Sequence, residues 1–361
     1  MRIIFDNIIF QLQTSGGISN YWYQLLMRIN TVDGTELNLF DDTSKTVNVF
    51  RKELNLSVYK TLGKSPGIVG RYTNPKLAQI KSKSIFHSSY YRFSRNPKHI
   101  NVTTVHDFTY EYFASGIKLY AHTNQKRKAL TQSEGIICVS ENTKKDMLHF
   151  FPELHAKKIK VIPHGVGANF KPIKITEKKR NQYFQGRPFL LYVGDRKAEY
   201  KNFELAIKAS KQSSYPIAII GGSPLSEKEL FFINSQLPKA DYVHFYGVSI
   251  QKLNEFYNLA HCLIYPSSYE GFGLPLLEAQ KTGCPIIAVN ISSIPEVVGA
   301  SGILIDEISA EEVVKAVLKL ADPMFRQEKI KQGITNANRF TWENTFKETI
   351  SFYKELYSQN E

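Results

Sequence analysis

Short runs rich in β-branched and aromatic residues alternate with helical patterns along the whole chain, and this alternation predicts parallel sheets covered by helices. In the first half the strand runs are Arg2–Asp6, Val47–Phe50, Ser84–His87, Val102–Val105, Gly135–Val139 and Lys160–Ile162. Helical patterns fall at Ile18–Arg28, Lys118–Gln132 and Asn142–Phe150, with Asn142 as the expected cap. The second half is more regular. Strands are expected at Pro188–Val193, Pro216–Ile220, Val243–Tyr246, Cys262–Tyr265, Pro285–Val289 and Ile303–Ile305. Helices fit Asn202–Lys211, Ser226–Gln236, Ile250–Leu259, Pro275–Lys281 and Ala310–Ala321. A polar, lysine-rich stretch, Lys171–Gly186, separates the halves. The expected architecture is therefore α/β: two doubly wound domains, residues 1–168 and 187–340, joined by a linker at 169–186. At 361 residues the chain is long enough for two such cores. Two doubly wound sheets in tandem bind ligands outside the carboxyl ends of their strands, so chemistry is expected in strand-to-helix loops.

Composition excludes several classes. A hydrophobic content of 42% with 22% charged residues belongs to a globular protein. No run approaches the roughly 18 apolar residues of a membrane span, and Met1–Asp6 reads as a strand rather than a signal peptide, so a cytoplasmic protein is expected. Cys138, Cys262 and Cys284 each sit in an apolar run, the setting of small core residues, and no Cys/His spacing suggests a metal. The net charge of +13 is uneven: residues 1–168 hold 23 Lys+Arg against 12 Asp+Glu, the remainder 23 against 21. That asymmetry points to an anionic partner for the first half, a phosphate-bearing substrate or an acidic membrane surface. No helix-turn-helix, zinc finger or RNA-binding signature accompanies it, so nucleic acid is not expected.

Residues 266–279, PSSYEGFGLPLLEA, follow a strand, cross a glycine-bearing loop and enter a helix with Pro275 at a favoured first-turn position. A helix start offers free N–H groups and partial positive charge to a diphosphate, and Gly271 and Gly273 allow close backbone approach. Glu278, just inside the helix, is open to two readings, an acceptor for ribose hydroxyls or a first-turn acid that complements the dipole, and Glu270, in the loop, is a candidate to hold a sugar hydroxyl. A second strand–loop–helix run, residues 192–202 (YVGDRKAEYKN), brings Gly194, Arg196 and Lys201, two cations able to neutralise a diphosphate. In the first half, Gly16 and Gly17 open a helix after the first strand, and Val105-His106-Asp107 ends another. The aromatic-basic run His87, Tyr90, Tyr91, Arg92 is open to two readings, an acceptor contact or a strand-end packing cluster.

Together these segments resemble retaining glycosyltransferases of family 4. Glu270 and Glu278 stand at the two glutamates of that family's E-x7-E signature, and 192–202 is similar to its VG-x-R…KN pattern. The resemblance implies the GT-B fold, two Rossmann-like domains facing a cleft, with the tail 341–361 as a helix crossing back to the first domain. It implies donor contacts from Gly16, Gly17, Gly194, Gly247, Val248, Phe272, Gly273, Leu274 and Glu278, and catalytic roles for His106, Arg196, Lys201 and Glu270, with His106 and Asp107 beside the acceptor. His164, at a short segment on the domain boundary, is a weaker match. The implied activity is metal-independent, retaining hexosyl transfer from GDP-mannose or a UDP-hexose to a glycan, an O-antigen or capsule intermediate on a lipid diphosphate. No cofactor or metal is expected, in agreement with the lack of a DxD motif. The partners implied are the nucleotide sugar, the glycan acceptor and the inner face of the membrane. A non-hydrolysing UDP-sugar epimerase and a non-catalytic nucleotide-sugar-binding subunit are the competing readings.

Overall fold

The computed structural model describes residues 1–41, 47–63, 67–77 and 79–359, so the last two residues of the 341–361 tail lie outside the described ones. The chain divides into two compact units, Met1–His164 with Trp342–Glu361, and Gly165–Thr341.

In the first unit seven parallel strands run β1 (Arg2–Asp6), β2 (Glu36–Phe40), β3 (Lys60–Gly63), β4 (Ser84–Ser88), β5 (His99–Val105), β6 (Gly135–Cys138) and β7 (Lys158–Val161). Their order in the sheet is β3-β2-β1-β4-β5-β6-β7. The order reverses between β1 and β4, and helices cover the faces, so the central strands read as continuous apolar runs such as Ile3-Ile4-Phe5, none of them exposed. Trp342–Gln359 is one helix of this unit. It buries Trp342, Phe346, Ile350, Phe352, Tyr353 and Leu356. Gly135, opening β6, admits it: a Cβ there would collide with Leu356 and Phe352.

The second unit holds six parallel strands, β8 (Leu190–Val193), β9 (Ile217–Ile220), β10 (Tyr242–Phe245), β11 (Cys262–Tyr265), β12 (Ile286–Val289) and β13 (Gly302–Ile305), in the order β10-β9-β8-β11-β12-β13. Its core joins Leu190, Ile207, Ile219, Ile264, Ile287 and Val317 with their neighbours. Residues 171–186 follow this unit's surface, where the Lys171 and Ile173 amides donate to Asn254 and Asn258 (both 2.9 Å) and Lys179 pairs with Glu255.

Three expectations are corrected. Val47–Phe50 is not a strand: Asn48 accepts from the Arg51 amide and starts the helix Val49–Glu53, and the sheet position goes to Glu36–Phe40 and Lys60–Gly63. Asn142 is not the cap of Glu141–Phe150; Ser140 is, its Oγ accepting from the Thr143 amide at 2.9 Å. A further helix, Pro323–Ala337, stands where none was expected, capped by Asp322 and begun by Pro323.

Candidate active site

The second unit's strand order reverses between β8 and β11, the place where such sheets bind ligands at their carboxyl ends. The loops leaving those two strands are stitched together. Asn202 adopts a left-handed conformation (φ +49°) that its short polar side chain tolerates, and its Nδ2 donates to Pro266 O at 2.8 Å. The Ser268 amide donates to Tyr200 O, also at 2.8 Å. The stitching places Lys201 against Glu270: Nζ lies 2.5 Å from Oε1, with the side chains 15% and 11% exposed. Tyr265, the last residue of β11, puts its hydroxyl 3.4 Å from the same ammonium. Burial, then the charge of Glu270 and a hydrogen bond to it, push the Tyr265 phenol well above its ordinary value, so it stays a donor.

The Glu270 loop is braced from behind. Its amide donates to Ser292 Oγ (2.9 Å), while Ser293 Oγ reaches the carbonyls of Glu270 and Phe272 at 2.9 and 3.0 Å. The chain then turns at Gly273 (φ +101°) into the helix Leu274–Thr282, with Pro275 in its first turn. Glu278 lies one turn along that helix. Part of its side chain reaches solvent, but Tyr257 Oη donates to Oε2 at 2.9 Å and burial raises its carboxyl to about 7, the tyrosine partly opposing the shift.

Arg196 is placed differently from the expected phosphate fork. Its side chain is 1% exposed; Nε donates to Glu229 (2.8 Å), Nη1 to Gly221 O (2.5 Å) and Nη2 to Ser223 O (2.7 Å). With all three nitrogens committed to protein acceptors, it braces the loops after β8 and β9. Gly194 packs under that brace, since a Cβ on Gly221 (φ +114°) would stand 2.8 Å from Gly194 O. Gly247 (φ +61°) and Val248 follow β10, beside Tyr246, which is 55% exposed and stacked on His244. A groove of about 820 Å³ lies beyond Arg196, lined by Lys197, Glu199, Lys208, Lys228, Phe232 and Ile308 among others. It includes none of Lys201, Glu270 and Glu278, so it is not where those groups converge.

In the first unit, Gly16 and Gly17 begin the helix Gly17–Arg28, and Ser19 Oγ donates to Gly16 O. His106 and Asp107 follow β5. The His106 ring stacks on His164 (5.4 Å) and meets the edge of Tyr21; burial holds its imidazole down at about 4, Lys126 adding to the shift and Asp107 opposing it. Asp107 accepts from the Thr109 amide, and the buried Lys126 donates to Asp107 O and Glu111. The run 87–92 is a packing cluster, which corrects its reading as an acceptor surface. His87 is wholly enclosed, with Tyr353 Oη on one ring nitrogen and Thr104 Oγ1 on the other. Arg92 pairs with Asp6 in the core, and Tyr90 and Tyr91 pack on one another and on His122. Tyr257 and Tyr265 were not marked as site residues by the sequence, and Lys126 stood there only as part of a basic patch; of these Tyr265, ending a strand beside the motif, stood in a telling position.

Two family models divide the chain between them. Residues 174–337 match "Glycosyl transferases group 1" and residues 47–170 match "Glycosyltransferase Family 4". The chain belongs to glycosyltransferase family 4. Among curated relatives it is 27% identical to the O-antigen chain mannosyltransferase B of Escherichia coli, over 71% of this chain and 70% of that protein. It is 30% identical to the D-inositol 3-phosphate glycosyltransferase of Acidothermus cellulolyticus, over 56% of this chain and 49% of that one. Among solved structures, sucrose-phosphate synthase from Thermosynechococcus elongatus superposes with a TM-score of 0.77 at 18% identity, covering 99% of this chain and 100% of that one. HepE from Anabaena, in complex with UDP and glucose, gives 0.73 at 15% identity over 98% and 99%. The fold is GT-B, and the protein is a glycosyltransferase.

Proposed function

We propose that this glycosyltransferase moves a hexosyl group, mannose first among the candidates, from a nucleoside diphosphate to a glycan hydroxyl with retention of configuration and without a metal. The observation that carries the reading is the Lys201–Glu270 pair at the β8/β11 switch point, with Glu278 one turn into the helix that follows the Glu270 loop. Lys201 and the start of the helix Leu274–Thr282 would receive the charge that builds on a departing diphosphate. Glu278 would accept from ribose hydroxyls and Glu270 from a sugar hydroxyl, while the Phe272–Leu274 backbone lies along the same loop. Gly247 and Val248 would flank the base, Gly16 and Gly17 the phosphates and acceptor. His106, neutral at physiological pH, would sit beside the donor sugar as a hydrogen-bonding group, with Asp107 next to it. Arg196 would act by holding the Gly194 loop in shape.

The mannose preference comes from the mannosyltransferases among the relatives. For the acceptor we propose an O-antigen or capsule intermediate on a lipid diphosphate, a reading supported by the basic excess of residues 1–168, which would also favour an anionic membrane surface. The test is product analysis after incubation with GDP-mannose or UDP-hexoses and lipid-linked glycans, with and without EDTA. Transfer that survives EDTA and gives an α-linked product from an α-linked donor supports the proposal; loss with EDTA, inversion, or donor epimerisation without an acceptor overturns it.

A further inference from the structure

Resting on the donor-site reading, we propose that Lys201 and Glu270 form an exchange pair that tells the intact nucleotide sugar from the spent nucleoside diphosphate and drives the latter out. The two side chains assigned to different parts of the donor, the ammonium to its phosphates and the carboxylate to its sugar, are each other's partner at 2.5 Å. Both are mostly enclosed, and Tyr265 lies against the pair, its hydroxyl 3.4 Å from Lys201 and bonded to Glu270. A diphosphate that recruits the ammonium brings a second anion beside the Glu270 carboxylate, where two negative charges repel strongly because little water separates them. The carboxylate then needs a new donor. An intact nucleotide sugar supplies one from the sugar hydroxyls; a nucleoside diphosphate supplies none, so its binding leaves a partly buried carboxylate short of a partner, which is costly.

The pair therefore has two satisfied states. Without ligand the ammonium and carboxylate bind one another; with the whole donor each binds its own part of the ligand. After transfer the sugar has gone, Glu270 regains Lys201, and the nucleoside diphosphate is displaced.

The distinguishing measurement is calorimetric binding of GDP, UDP and their nucleotide sugars to the wild type, Glu270→Gln, Lys201→Met and the double variant. Glu270→Gln removes the competing charge at nearly constant shape. It is expected to bind the nucleoside diphosphate roughly tenfold more tightly than the wild type and the nucleotide sugar more weakly. In the Lys201→Met background the same change should tighten nucleoside diphosphate binding less than in the wild type, since only the direct repulsion is then relieved and nothing remains to be exchanged. If Glu270→Gln binds the nucleoside diphosphate equally or less tightly, the exchange is wrong while the donor site stands. A tightening of the same size without Lys201 also overturns it, because the carboxylate would then act on the ligand by repulsion alone and not through the lysine. Should the wild type bind neither GDP nor UDP, the donor-site reading itself fails and the exchange with it.

Discussion

At the scale of single residues, Glu278 links ligand recognition to pH. Its carboxyl is raised from the ordinary 4.5 to about 7 by burial, with Tyr257 partly offsetting the shift. Below 4.5 the group is neutral whether the chain is folded or not. Between 4.5 and about 7 the folded protein holds the proton that the unfolded chain releases, so this group's contribution to stability falls as pH rises. Above about 7 the native state carries a half-buried charge that accepts from Tyr257. Glu278→Gln, which keeps the Tyr257 acceptor and removes the charge, is expected to raise Tm at pH 8 and leave it unchanged at pH 4.5. A Tm gain of equal size at both pH values would show that ionisation is not the cause. The same variant, like Lys201→Ala, should lose transfer, with kcat/KM falling about 100-fold to 1,000-fold for the lysine because the developing diphosphate charge loses its cation. Circular dichroism of both variants should remain that of the wild type; normal turnover in Lys201→Ala would remove that residue from the site.

At the scale of loops and strands, the donor region is held by close backbone contacts that admit few side chains. Gly221 has φ +114°, and a methyl there would sit 2.8 Å from Gly194 O, while a methyl on Gly222 (φ +69°) would sit 2.7 Å from Arg196 Nη1. Gly221→Ala is therefore expected to cost about 1–3 kcal/mol in urea unfolding through the strained conformation alone, and more if the Gly194 loop cannot give. It should also weaken nucleotide-sugar binding, since the shifted loop carries Arg196 and leads to Lys201. Unchanged unfolding would mean that the β8 and β9 loops are looser than their packing indicates.

What the sequence revealed at this scale follows a physical division. Cys262–Tyr265 and Ile250–Leu259 were legible to the residue, because buried parallel strands are unbroken apolar runs and Ser249 marks the helix start. Val47–Phe50 misled because valines and an aromatic favour strands, while the deciding event was one side-chain bond from Asn48 to the Arg51 amide. Arg196 shows the same limit in the site. A sequence reveals that a guanidinium is present beside a glycine loop; it does not reveal that Gly221 O, Ser223 O and Glu229 already surround it. Tyr257 and Tyr265 reach Glu278 and Lys201 across tertiary contacts, for which no local spacing exists.

For the whole molecule, the titrating groups set the direction of its acid response. Burial lowers His87 to about 3, His106 and His261 to about 4, and also depresses His99, His164 and His244. A histidine whose folded value lies below the ordinary 6.5 gives stability that is complete above 6.5 and is lost as pH falls toward the folded value, because the unfolded chain takes up the proton first. Three carboxyls, Asp6, Glu134 and Glu278, are raised by burial and act the other way. Six groups opposed by three over the window from pH 6.5 to about 4.5 leave a net loss, so Tm should fall as the medium is acidified through that window, with proton uptake on unfolding measurable by calorimetry in buffers of different ionisation enthalpy. A single enclosed site separates this account from general charge repulsion. His87 is held between Tyr353 and Thr104, so His87→Gln retains hydrogen-bonding capacity but cannot become cationic. That variant should be less stable than the wild type at pH 7.5 through lost ring packing, with the deficit narrowing by pH 5 as the wild type alone bears the cost of this proton. A deficit that is constant or widens on acidification would mean that His87 does not contribute to the acid slope.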